Sequence, residues 1–251
     1  MAEWQDNEPP RSGGEAWFTT THWSVVLAAG QTANSNAEAA LGKLCRAYWY
    51  PLYAYVRRSG KDEETAKDLT QAFFARLLEK NYLTEAKREK GRFRNFLLGS
   101  LKHFLADEWD KAKALKRGGV QIILSLDDDT AEDRYQLEPV DDLSPDKLFD
   151  RRWALMTLEQ ANQRLRKEYQ DTGKGELFDR LQDFLAGALE GSGYAEAAAQ
   201  LGMTENTFKS HVRRLRLRNR EIIREIIAET VASAEQVDEE LRDLFAALAE
   251  T

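Results

Sequence analysis

Asn206, Ser210 and Arg213 recur at four- and three-residue steps, which stack side chains on one face of a helix, and Lys209 and Arg214 flank them. Thr207 stands beside them on the first turn. An amide, a hydroxyl and a guanidinium on one face supply hydrogen-bond partners for base edges, and flanking cations suit phosphate. Phe208, Val212 and Leu215 fall on the opposite face as an apolar stripe that belongs in a core.

The residues before this helix carry what is needed to present it. In YAEAAAQLGMTENTFKSHVRRLRLRN, Tyr194 to Asn219, the small Ala198 lies four residues before Gly202 and the apolar Phe208 six beyond it. A small residue lets two helices approach, a glycine permits the turn, and an apolar residue plugs the gap between helices. Thr204 is the expected N-cap. These are helix-turn-helix constraints, with Glu205 to Arg220 as the exposed recognition helix. An ordinary helical hairpin with a solvated basic face satisfies the same spacing.

Two further stretches are patterned. In Glu63 to Lys80, Ala66, Leu69, Phe73 and Leu77 form a buried stripe, with Glu64, Asp68, Gln71, Ala75 and Glu79 opposite. By itself that pattern describes a solvated surface helix. In GRFRNFLLGSLKHFLADEWDKAKALKRGG, Phe93, Phe96, Leu97, Leu101 and Phe104 share one face, and Lys102, Trp109 and Lys113 the other. A ring between cations suits unpaired bases; the alternative is that Trp109 packs under the amino-terminal helix.

Composition bounds these readings. The chain has 251 residues, 42% hydrophobic and 31% charged, rich in Ala, Leu, Glu, Lys and Arg, so an all-α protein with a buried core is expected. Its net charge of −7 disfavours DNA binding by the chain alone. The charge is unevenly placed, however: Arg92 to Arg117 and Lys209 to Arg224 are basic, and Asp127 to Asp146 is acidic. A partner is therefore needed to hold the chain on DNA. The single cysteine, Cys45, forms no internal disulfide, and the chain opens on no charged leader, so a cytoplasmic location without membrane insertion is expected. His22, His103 and His211 are dispersed, with no metal-ligand cluster and no phosphate-binding glycine loop. No cofactor, metal or catalytic residue is expected, and an enzyme is not.

The expected organisation is two helical domains joined by an acidic linker. Residues 1–16 read as a disordered tail, followed by a short helix around His22 to Ala29. Residues 17–117 form the first unit, with helices over Ala37 to Arg58, Glu63 to Lys80 and Phe93 to Lys116. Residues 118–145 include the apolar run Val120 to Leu126 and the acidic linker. Residues 146–232 form the second unit, with helices from about Asp146 and Glu176, then Tyr194 to Leu201 and Glu205 to Val231. Residues 233–251 carry a last helix, Glu235 to Glu250. Its Val237, Leu241, Leu244, Phe245 and Leu248 require a packing surface on the protein or on a partner.

Taken together, these stretches resemble bacterial RNA polymerase sigma factors of the extracytoplasmic-function (ECF) type within the sigma-70 family. KDLTQAFFARLL resembles region 2.2, FRNFLLGSLKHFLADEWDKAKALKR is similar to regions 2.3 and 2.4, and the helix-turn-helix is similar to region 4.2. The resemblance implies an all-helical transcription-initiation subunit whose partners are promoter DNA and the polymerase core, through the β′ clamp helices and the β flap. It places Glu64, Asp68 and Gln71 on the clamp helices, and Lys102, His103, Trp109 and Lys113 on the minus-10 strand. It places Asn206, Ser210 and Arg213 on minus-35 base edges, with Lys209 and Arg214 on phosphate and Thr207 in the same minus-35 contact surface. His103 stands where an asparagine is often found, and Asp110 where a basic residue is common.

One further departure concerns regulation. Where many relatives carry Asp-Ala-Glu-Asp, this chain reads Thr65-Ala66-Lys67-Asp68. Some groups of the family are coupled to Ser/Thr kinases, and the resemblance allows an anti-sigma factor or a Ser/Thr kinase as a further partner. The run makes Thr65 the candidate phosphorylation site, because a phosphate restores the missing negative charge. The alternative is that Thr65 only caps or solvates the helix start. A stand-alone helix-turn-helix regulator is the other functional reading; it leaves Glu63 to Arg117 without a purpose.

Overall fold

The computed structural model describes residues 35–78, 92–114, 131–136, 143–185, 192–231 and 233–249. The expected tail, the helix at His22 to Ala29, the run Val120 to Leu126 and much of the acidic stretch lie outside these residues. Helix α1 spans Ser35–Arg58, α2 Glu63–Leu78, α3 Phe93–Ala114, α4 Ala131–Gln136 and α5 Pro145–Asp171. Then follow α6, Gly175–Leu181, with a 3-10 turn Gln182–Phe184, α7, Ser192–Gln200, α8, Glu205–Ala228, and α9, Ala234–Ala249. The described residues are all-α, with no strand among them beyond a single antiparallel bridge, Arg92 to Val231.

The starts of these helices follow from local chemistry. Asp62 caps α2, its carboxylate accepting from the Thr65 N–H at 2.9 Å and the Thr65 hydroxyl at 2.8 Å. Ser144 caps α5 and Pro145 occupies its first turn, where a missing N–H costs nothing. At the other end of α5, Gly173 takes φ +70, and the Lys174 N–H closes on the Tyr169 carbonyl at 2.8 Å.

The core is built on the aromatic face of α1. Tyr48, Trp49, Leu52, Tyr53 and Val56 are buried, and α1 packs against α2 and α5. Trp49 stacks on Phe74 of α2 with centroids 5.4 Å apart, and Tyr48 meets Phe93 of α3 edge-on at 5.2 Å. Each fully buried ring contributes about 1.5–3 kcal/mol of transfer free energy, which holds three sequence-distant segments on one helix. Helix α5 reaches further, packing on α8 and α9 as well as on α1. A single buried cluster therefore runs from Cys45 to Leu244.

Three details differ from the sequence expectation. The last residues of the expected helix Glu205 to Val231 leave it after Ala228, because Val231 bridges to Arg92 and the Thr230 carbonyl accepts from the Phe93 N–H at 3.0 Å. Within the acidic stretch, α4 forms and buries Glu132, whose carboxylate is held by Tyr53 and Arg57 of α1. The last helix packs on the protein through Val237, Leu241 and Leu244, but Phe245 is 62% exposed.

Candidate nucleic-acid interface

The turn before α8 is set by the three residues that the sequence singles out. Ala198 is buried, Gly202 sits at φ +65 between α7 and α8, and Phe208 is fully buried. The left-handed conformation at Gly202 is one that a side chain adopts only with strain. Its N–H bonds to the Ala199 carbonyl at 3.1 Å, and the Met203 N–H bonds to the Ala198 carbonyl at 3.0 Å. Thr204 caps α8, its hydroxyl accepting from the Thr207 N–H at 3.2 Å. Phe208 then locks the pair by packing against Phe184 at 5.1 Å and Tyr194 at 6.1 Å.

This packing leaves the opposite face of α8 in solvent. Asn206, Thr207, Lys209, Ser210, Arg213 and Arg214 are all exposed, while Val212 and Leu215 are buried with Phe208. The Ser210 hydroxyl donates to the Asn206 carbonyl at 3.0 Å, so toward a ligand it offers its lone pairs. Thr207 and Thr204 share a hydroxyl bond at 2.8 Å. Lys209 pairs with Glu205 at 2.6 Å and lies 5.6 Å from the Tyr194 ring.

The basic stretch divides into two electrostatic halves. Arg218 is held by Glu168 at 2.7 Å, Glu225 at 3.0 Å and Glu221 at 3.1 Å, and its hydrogen bonds to Glu168 raise its pKa. Arg216 donates to the Phe184 carbonyl at 2.7 Å, and Arg224 to Asp238 at 2.6 Å. These three arginines join α8 to its neighbours. Lys209, Arg213 and Arg214 are exposed ahead of them, with Arg214 in electrostatic reach of Tyr169 on α5. Tyr194, Leu217 and Arg220 line an open groove of ≈ 540 Å³ with Lys209 and Arg213. Sequence reasoning missed these three; the four- and three-residue steps from Arg213 to Leu217 and Arg220 were the available signal.

The α3 candidates lie along that helix's outer side. Lys102 and His103 are exposed, and Trp109 is 56% exposed; the amino-terminal helix expected as its alternative packing partner lies outside the described residues. Lys61, from the turn before α2, sits 4.9 Å from the Trp109 ring, a cation–π pairing that sequence spacing did not reveal. Lys102 is paired with Asp146 of α5 at 2.7 Å, and that hydrogen bond raises its pKa. The Lys113 side chain lies outside the described residues.

On α2, Glu64 and Asp68 are exposed and Gln71 is half-buried, while Ala66, Phe73, Phe74 and Leu77 face the core. Thr65 is half-buried, with its hydroxyl engaged by Asp62. Thr70 is buried and donates to the Ala66 carbonyl at 2.7 Å. Lys67 pairs with Glu63 at 3.0 Å, so part of the acidic charge at the helix start is neutralised from within.

Cys45 is buried, and burial pushes its thiol up to about 12, leaving no thiolate near neutral pH. Among the described residues no group of His, Cys, Asp and Glu is placed to hold a metal ion. No helix among them is long and apolar enough to cross a membrane. Compared with protein-family models, curated proteins and solved structures, the chain shows no match.

Proposed function

We propose that the chain is a promoter-recognition subunit of bacterial RNA polymerase, a sigma factor of the ECF type. The observation that carries this reading is the two-faced α8: Phe208, Val212 and Leu215 are buried behind the Gly202 turn, and Asn206, Ser210 and Arg213 project outward. A helix held this way enters a major groove, with its amino-terminal half on base edges and Lys209 and Arg214 on phosphate. The two-domain division into residues 17–117 and 146–232 belongs to the same proposal. Trp109, with Lys61 of the turn before α2 against its ring and Lys102 further back along α3, stacks an unpaired minus-10 base. Glu64, Asp68 and Gln71 meet the β′ clamp helices, and the second unit meets the β flap.

Thr65 fits a regulatory role in that interface. A phosphate there would replace its hydrogen bond to Asp62 and add about −1.5 to −2 charge beside Glu64 and Asp68. The helix amino terminus favours that charge, and the three neighbouring acids oppose it. A kinase or an anti-sigma factor would act on this surface.

A stand-alone helix-turn-helix regulator is the second reading, favoured by one observation: the α8 face is exposed, with Lys209 paired inside its own helix, whereas Lys102 of α3 is paired with Asp146 of another helix. Mobility shifts on duplex promoter fragments, with and without polymerase core, separate the two. The sigma reading expects a complex only with core. Tight sequence-specific binding by the free chain would favour the regulator.

A further inference from the structure

Arg92, Arg94 and Lys102 belong to the basic stretch of α3 and its approach, and each is met by acids from the second half of the chain. Arg92 reaches Glu239 at 2.5 Å and also pairs with Asp243. Arg94 reaches Glu240 at 2.9 Å and Asp243 at 3.1 Å, pairs with Asp150, and lies 4.1 Å from the Trp153 ring. Two turns further on, Lys102 meets Asp146. The bridge between Arg92 and Val231 ties the backbones at the same place.

The composition of this seam matters more than its strength. Two guanidinium groups face four carboxylates, Asp150, Glu239, Glu240 and Asp243, so α5 and α9 bring an excess of negative charge to the start of α3. Glu240 is 1% exposed, and burial holds its carboxyl above the ordinary value despite the two arginines. The other three side chains keep 40%, 49% and 45% of their exposure, so water and ions reach the rim. Charged surfaces regain hydration when they part, and buried ion pairs add little to net stability over apolar packing. Such a seam suits a contact that opens. Phosphate is the other common group that satisfies guanidinium and ammonium ions with the same geometry.

We propose that the carboxylates of α9 and of the first two turns of α5 form an acidic clasp that occupies the cations of the Arg92 to Lys102 stretch, and that single-stranded nucleic acid displaces them from those cations. The clasp rests on the nucleic-acid reading of α3 and adds an intramolecular competitor to it. In the closed chain Arg92, Arg94 and Lys102 are paired with carboxylates; in the open chain the same cations face phosphates. A chain of net charge −7 thereby screens its own basic stretch until a strand is presented.

The test uses the full chain and a fluorescent single-stranded DNA oligonucleotide, with affinity read by anisotropy at several salt concentrations. Glu239→Gln/Asp243→Asn removes two rim acids of the clasp. Asp171→Asn/Glu176→Gln removes the same charge from exposed positions outside it. The clasp variant is expected to bind roughly 5- to 10-fold tighter than wild type, and the control within about twofold. Asp146→Asn, at the exposed start of α5, frees Lys102 alone and is expected to gain roughly twofold to threefold; it serves if the double variant does not fold. Hydrogen exchange in α9 of the wild type should rise when the oligonucleotide saturates it. Equal gains for clasp and control variants, or unchanged α9 exchange in the bound protein, would overturn the clasp. Failure of the sigma reading shows elsewhere, as absence of core-dependent transcription whatever the oligonucleotide affinities.

Discussion

Arg57 grips Glu132 with both arms of its guanidinium, Nε to Oε2 at 2.9 Å and Nη2 to Oε1 at 2.7 Å, across 75 positions of sequence. The Tyr53 hydroxyl donates to the same carboxylate. Although burial opposes the charge on Glu132, hydrogen bonds from Arg57, Tyr53 and Gln136 outweigh it and hold the carboxyl below its ordinary 4.5. A depressed carboxylate contributes stability above its unfolded pKa and loses it as pH falls through the folded one.

Glu132→Gln should therefore lower stability by about 2 kcal/mol at neutral pH and flatten the acid limb. Thermal melts from about pH 7 to about pH 3 check this: the gap between wild type and variant should close as the pH drops below about 4.5. A gap independent of pH would show that the ion pair contributes nothing.

Arg213→Ala and Arg218→Ala should behave as opposites although both remove an arginine from α8. Arg213 projects outward, so its loss should cost about 1–3 kcal/mol of discrimination between minus-35 sequences and leave the melting temperature alone. Arg218 is committed to Glu168, Glu221 and Glu225, so its loss should cost about 1 kcal/mol of stability, allowing for its partial exposure. Its effect on sequence preference should be small. Parallel melts and competition binding in the presence of core separate the two roles.

Phe208→Ala should cost about 3–5 kcal/mol, because it empties the space between Phe184 and Tyr194. Gly202→Val should cost about 1–2 kcal/mol through backbone strain alone, since nothing crowds the position. Chemical denaturation measures both. A neutral Gly202→Val would mean that the turn tolerates another conformation.

Trp109→Ala should leave closed-complex formation nearly unchanged and reduce promoter opening, because stacking acts only on unpaired bases and is worth about 1–3 kcal/mol per base. Permanganate reactivity of minus-10 thymines reads opening directly. Unchanged reactivity would remove Trp109 from the strand-binding surface and leave its pairing with Lys61 as its role.

What was legible in the sequence was local. The α8 stripe of Phe208, Val212 and Leu215, the Thr204 cap and the Gly202 turn are all set within a few residues, and the structure forms each of them. The α2 and α3 stripes are legible for the same reason. What was not legible depends on partners far along the chain. Glu132 sits in a run of acids that reads as solvated, and nothing near it announces Arg57. The pairing of Arg94 with Glu240 spans 146 positions, beyond any helical period. Apolar spacing also carried α8 too far, because Val231 belongs to a bridge and its valine side chain fits either role.

Run-off transcription with purified bacterial core polymerase on a library of genomic fragments, with and without the full chain, decides whether the chain acts as a sigma factor. A sigma factor yields discrete transcripts that require the chain, lost with Arg213→Ala at minus-35-dependent starts and restored by no other addition. Transcription indistinguishable from core alone, over a concentration range that saturates any binding to core, would contradict the sigma reading.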